Sequence, residues 1–118
     1  MIVRTALAQI NTTVGDINGN KNKIIEAIDK ATASDSEILL FPELTITCYP
    51  PEDLLLNTGF LRENLAALKE IANYTEGSKT MIVLGFVDFS NEIYNAAAVI
   101  HSGEIRAVYR KMSLPNYS

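Results

Sequence analysis

Ile38-Leu39-Leu40-Phe41-Pro42-Glu43 holds four apolar residues in a row, stopped by a proline and followed at once by a carboxylate. Consecutive apolar side chains point to alternate faces of a strand, so the run reads as a short strand buried on both faces. Pro42 has no N–H for the ladder and ends it. A strand of this kind needs helices to cover it, and both flanks supply one. Upstream, Ile24, Ile28 and Ala31 recur at i, i+4 and i+7 among Lys23, Glu26, Asp29 and Lys30. That spacing predicts an amphipathic helix over 21–33, with Asn20 as its N-cap. Downstream, Pro50-Pro51 holds the backbone extended. Leu61, Leu65, Leu68 and Ala72 then mark a second helix over 58–74, with Gly77 placed as a C-terminal cap.

Further out, residues 2–10 are apolar at nearly every position and predict a first strand, again buried on both faces. A loop with Gly15, Asp16 and Gly19 separates it from the first helix. Residues 81–86 form a third apolar run, and 94–100 and 104–110 flank Ser102-Gly103 as a hairpin. The order is strand, helix, strand, helix, strand, hairpin, which is an α/β architecture. Leu114-Pro115-Asn116-Tyr117-Ser118 reads as a loop leaving a strand. The sheet is therefore expected to be completed downstream or by another chain, since an unpaired edge and an uncovered face are liabilities.

With 118 residues and 13.0 kDa there is material for one domain. A content of 47% hydrophobic and 20% charged residues excludes a disordered chain. Net charge −4 and a pI near 4.9 give no footprint for nucleic acid or an anionic membrane, and no apolar run is long enough to span a bilayer. The single cysteine, Cys48, permits no internal disulfide and no multi-cysteine metal site. A lone thiol suits a reducing compartment, so an intracellular, cytoplasmic protein is expected. His101, the sole histidine, stands beside the hairpin turn and is expected to be exposed and to hold no metal.

Ligands of open α/β sheets gather at the carboxyl ends of strands. Glu43 directly follows the second strand, Lys111 follows the last, and Tyr117 stands six residues on. Singly, these read as a solvated loop carboxylate, a surface lysine and a packing aromatic. Glu52-Asp53 reads as the acidic first turn of a helix. Cys48 reads as a small buried hydrophobe rather than a nucleophile.

Phe41-Pro42-Glu43-Leu44 with Cys48-Tyr49, and Tyr109-Arg110-Lys111-Met112-Ser113-Leu114 about 70 residues on, resemble the two leading motifs of the nitrilase superfamily of carbon–nitrogen hydrolases. Ala8-Gln9-Ile10, Gly15-Asp16 and Tyr94-Asn95 also fall where that family has them. Tyr49-Pro50-Pro51-Glu52-Asp53-Leu54-Leu55 and the run from Lys111 to Tyr117 are similar, more narrowly, to the glutaminase domain of glutamine-dependent NAD synthetases.

The resemblance implies that residues 1–118 are the N-terminal part of such a domain, the first half of a nitrilase-like α-β-β-α sandwich. Glu43 would act as general base and Lys111 would stabilise an oxyanion, while Tyr49 and Tyr117 would line the glutamine pocket. The family's nucleophilic cysteine lies beyond the lysine motif, so the 118 residues alone are expected not to turn over glutamine. The glutaminase part needs no cofactor; ATP and Mg²⁺ would belong to a synthetase domain outside this chain. That domain would use the ammonia to convert nicotinic acid adenine dinucleotide to NAD, in a homo-oligomer. Cys48 departs from the pattern, since the family commonly has glycine there. Two rivals are an amidase acting on a small carboxamide and a non-catalytic binding or assembly module.

Overall fold

A computed structural model describes residues 2–114. The elements run β1 (Thr5–Leu7), α1 (Ile17–Ala33), β2 (Ile38–Leu40), α2 (Glu52–Leu55), α3 (Thr58–Tyr74), β3 (Met81–Phe89), β4 (Ile93–His101) and β5 (Glu104–Ser113). Among the described residues the strands form one sheet in the order β1-β2-β3-β4-β5. The β1–β2 and β2–β3 pairs are parallel, and the two later pairs are antiparallel.

The strand order advances in one direction through two parallel crossovers. Such connections are right-handed, so both crossover helices fall on the same face of the sheet. There Ile24 and Ile28 of α1 and Leu68 and Ile71 of α3 share one core with Leu39 of β2 and Ile82, Leu84 and Phe86 of β3. Residues opposite one another in a ladder share a face, and Ile100, Ala98 and Ala96 of β4 join the core opposite those three β3 residues. Each fully buried large side chain contributes about 1.5–3 kcal/mol. Leu44 of the loop after β2, Leu55 of α2, Leu61 of α3, Val87 of β3 and Leu114 form a second, smaller cluster. The face away from the helices is open along β1 and β5, with Leu7 and Tyr109 each 68% exposed. No helix among the described residues is long and apolar enough to cross a membrane.

The structure changes several expectations. The first strand is not buried on both faces along 2–10; β1 is three residues long, with Thr5 and Leu7 exposed. It is an edge strand bonded to β2, with helices on one side only, so its apolar residues outnumber the surfaces available to cover them. The second strand is covered fully at Leu39 and only in part at Ile38 and Leu40, for the same reason. Helix α1 starts at Ile17, four residues before Lys21. Its N-cap is Asp16, whose carboxylate accepts from the Gly19 N–H at 3.0 Å. Asn20 is buried inside the first turn instead, and its amide joins two loops. Helix α3 matches the predicted 58–74, capped by Asn57, whose side chain accepts from the Phe60 N–H. Thr75 is its C-cap, and Gly77 follows with φ of +82°. Glu52 and Asp53 do form the first turn of α2. β5 runs on to Ser113, so Lys111 lies inside the last strand rather than after it. His101 ends β4 and is half-buried rather than exposed.

Candidate active site

Glu43 stands on a strained elbow. Past β2 the chain makes a last ladder bond, Phe41 N–H to the Val83 carbonyl at 2.9 Å, then turns through Leu44 at φ +49°. The left-handed region costs a residue with a Cβ about 1–2 kcal/mol. Leu44 is 2% exposed within the second cluster, and its burial offsets that cost. The Thr45 hydroxyl donates to the Pro42 carbonyl, and the Ile46 N–H donates to the Gly85 carbonyl at 3.3 Å.

The elbow lies directly on the sheet because Gly85 has no side chain. A Cβ there would stand 2.5 Å from the Leu44 nitrogen and 2.6 Å from the Pro42 oxygen, both backbone atoms. Asn20 ties the far end of the loop, donating to the Ile46 and Thr13 carbonyls at 2.9 and 2.8 Å and accepting from the Thr13 N–H at 2.8 Å.

Lys111 arrives by a different device. The β4–β5 ladder steps from Asn95↔Met112 to Ala96↔Arg110, leaving Lys111 as the extra residue of a bulge. Bulges re-aim a side chain without ending the strand. The neighbouring Arg110 is held by Asp88, with Nε 2.9 Å from Oδ2, and its guanidinium lies 4.3 Å from the centre of the Tyr94 ring. Lys111 Nζ instead donates to Glu43 Oε1 at 2.7 Å. Asn95 donates through Nδ2 to the other carboxylate oxygen, Oε2, at 3.1 Å. The hydrogen bond from Lys111 first, then that from Asn95, then the charge on Lys111 hold the Glu43 carboxyl below its ordinary value, against a small opposing effect of burial.

Three neighbouring elements thus deliver one group each to the same end of the sheet. They border a small cleft of about 80 Å³ that also includes Pro42 and Gly85. A larger hollow of about 450 Å³ lies elsewhere, between β1 and α1. There Lys30 pairs with Glu26 and Lys23 donates to the Asn11 carbonyl, whereas only the smaller cleft holds Glu43 and Lys111. A carboxylate and an ammonium side by side can take a proton from one atom and stabilise negative charge on another.

Of the residues singled out from sequence, Glu43 and Lys111 come together. Tyr49 does not line their cleft; it is 64% exposed on the loop beyond it. Tyr117 lies outside the described residues. Cys48 is half-buried at φ +57°, a conformation that suits glycine and explains physically why glycine fits this position. Among the described residues no three His, Cys, Asp or Glu side chains gather as a metal site.

Two contributors were not singled out for the site. Gly85 interrupts an apolar strand, which is the sequence signal for close approach of another backbone. Asn95 is the amide within the otherwise apolar and aromatic run from Ile93 to Ile100, but its partner lies 52 residues away.

A family profile described as carbon-nitrogen hydrolase matches residues 4–118. The glutamine-dependent NAD(+) synthetase of Thermotoga maritima is 50% identical over 115 residues, covering 98% of this chain and 20% of that protein. The crystal structure of a glutamine-dependent NAD(+) synthetase from Cytophaga hutchinsonii superposes with a TM-score of 0.86 at 30% identity, over 97% of this chain and 20% of that one. A Nesterenkonia amidase from the nitrilase superfamily superposes with a TM-score of 0.82 at 22% identity, over 92% of this chain and 42% of that one. At that identity the likeness is one of fold. The chain spans about a fifth of the length of the curated relatives it matches.

Proposed function

This chain belongs to the carbon–nitrogen hydrolase family and carries the first half of its nitrilase-like α-β-β-α sandwich, and from that premise we propose that it forms part of the glutamine-hydrolysing site of a glutamine-dependent NAD synthetase. The observation that carries the reading is the 2.7 Å contact between Lys111 and Glu43, in a chain half identical to a named synthetase.

In this reading a cysteine thiol from outside the 118 residues attacks the side-chain amide carbon of glutamine. Glu43 takes the thiol proton as the carbon–sulfur bond forms, and the Lys111 ammonium stabilises the negative charge left on the former carbonyl oxygen. Glu43 returns the proton to the nitrogen, ammonia leaves, and water then hydrolyses the thioester to glutamate. The low carboxyl pKa of the resting pair has a role here. It keeps Glu43 ionised and able to accept, and the growing oxyanion draws the ammonium away and raises the basicity of the carboxylate at the moment of proton transfer. Each carboxylate oxygen has a second lone pair, so the bonds to Lys111 and Asn95 leave acceptor capacity.

In this reading the glutamine pocket extends beyond the small cleft to the exposed Tyr49, and Tyr117 is assigned to the same pocket. The ammonia passes to a synthetase part that amidates nicotinic acid adenine dinucleotide to NAD with ATP and Mg²⁺. The described residues present neither a phosphate-cradling loop nor a metal cluster for these, and no step in this chain is routed through them. The reading assigns the protein to the cytoplasm, where Cys48 stays reduced, and takes the full-length protein to be a homo-oligomer.

The test uses the full-length protein carrying this chain, following glutamate release and NAD formation. Glu43→Gln should cut glutamine-driven NAD formation by about 10²–10⁴ and leave NAD formation from added ammonium salt intact. Equal loss on both nitrogen sources would sink the assignment. Hydrolysis of small carboxamides without any NAD formation would favour a free-standing amidase.

A further inference from the structure

The geometry points to Asn95 as a positioning residue, whose amide fixes the Glu43 carboxylate in place before any substrate arrives. Its catalytic consequence rests on the glutamine-hydrolysis reading; the orientation itself does not. Asn95 is 3% exposed, paired in the ladder with Val87 on one side and Met112 on the other, beside the bulge that presents Lys111. Its Nδ2 reaches Glu43 Oε2 at 3.1 Å while Lys111 occupies Oε1 at 2.7 Å, so each carboxylate oxygen has its own donor. The amide orientation follows from chemistry, because the flipped form would set two acceptors against each other.

Two other buried asparagines serve as internal comparisons. Asn20 engages both ends of its amide with backbone groups of Thr13 and Ile46. Asn64 does the same with Val87, accepting from its N–H at 3.2 Å and donating to its carbonyl at 2.5 Å. Both are fully satisfied backbone staples. Asn95 is different: its donor goes to a solvent-exposed carboxylate, and its buried Oδ1 has no hydrogen-bond partner among the described residues. A buried acceptor left unmet destabilises the fold, and an apolar side chain of similar shape would not. What Asn95 contributes in return is the bond to Glu43.

The charged group facing Glu43 is Lys111 from β5; Gly85 from β3 and Asn95 from β4 bring no charge. Isotope-labelled NMR on the chain can therefore follow the Glu43 carboxyl carbon and the Asn95 side-chain amide together through an acid titration. The Asn95 amide should titrate in step with Glu43, and that response should vanish in Glu43→Gln. In Asn95→Leu the Glu43 midpoint should rise, since the ionised form loses a donor, while the unfolding midpoint stays at or above that of the parent. An Asn95 amide that stays flat through the Glu43 titration would overturn the proposal. So would an unchanged Glu43 midpoint in folded Asn95→Leu. Should the leucine variant fail to fold, the amide titration in the parent decides alone. Absence of glutamine hydrolysis by the full-length protein would remove the functional reading and leave these resonances as they are.

Discussion

The loop that presents Glu43 and the strand that presents Lys111 meet at 2.7 Å, yet they are built by opposite means. The loop is an interior object. Leu44, Thr45, Ile46 and Thr47 are buried, Leu44 and Cys48 adopt positive φ, and backbone bonds tie it to Gly85 and to Gly15. β5 is exposed at all ten residues, and its ladder partner is β4. Its lysine is aimed by one bulge and a surface clamp of Arg110 on Asp88 and Tyr94. The carboxylate is thus preorganised by packing and the ammonium by register. Disturbances of the core should reach Glu43, and disturbances of the surface should reach Lys111.

The sharpest way to break this contrast is Gly85→Ala. The added carbon would meet Leu44 and Pro42 backbone atoms at 2.5 and 2.6 Å, and neither can swing aside as a side chain would. A loss of about 3 kcal/mol is expected, the upper end for an inserted methyl group, read as a lowered urea midpoint. An alanine variant as stable as the parent would mean the elbow is not held against the sheet. Cys48→Gly tests the same loop in the other direction. Relieving a left-handed residue should stabilise the fold by about 1 kcal/mol after allowing for the freer unfolded chain. No gain would show that φ +57° carries little strain here.

Acid unfolding probes the ion pair. The folded Glu43 carboxyl lies below its ordinary value of 4.5, so its contribution is complete above that value and is lost as pH falls through the lower folded one. The urea midpoint should fall on acidification slightly more in the parent than in Lys111→Met. Parallel curves would indicate that the pair adds nothing to folding. The smallest stability change is expected for Arg110→Gln, whose exposed ion pair should leave the urea midpoint nearly unchanged. The Lys111–Glu43 contact should nevertheless loosen, visible as a raised Glu43 titration midpoint, if surface clamping sets the aim of the lysine.

The same contrast marks what the sequence reveals. Helix α3 is readable from its leucine period and polar flanks, and Glu52-Asp53 from the chemistry of a first helical turn. Glu43 and Lys111 are readable because motif and strand end coincide. The elbow is not, since a leucine at positive φ looks like any other apolar residue and its strain is set by contacts with β3. The bulge at Lys111 carries no glycine and no break in pattern, so the lysine reads as following the strand. β1 is over-read because apolar composition records what a strand could bury, not how many faces the sheet covers. Asp16 and Ile17 are missed as a helix start because Gly19 weakens the pattern. Yet a Cβ at that glycine would stand 2.2 Å from the capping carboxylate, so the residue that obscures the helix also permits its cap.

The bulge also bears on how the molecule folds. Glu43 and Lys111 are 68 residues apart, and every strand pairing from β2 to β5 must be in register before they touch. Contacts of such long sequence separation close late, after the loops between them have lost their freedom. In a refolding experiment the Glu43–Lys111 bond should thus be among the last to form. The kinetics of that single bond would time the arrival of β5, the strand with least of its own to bury.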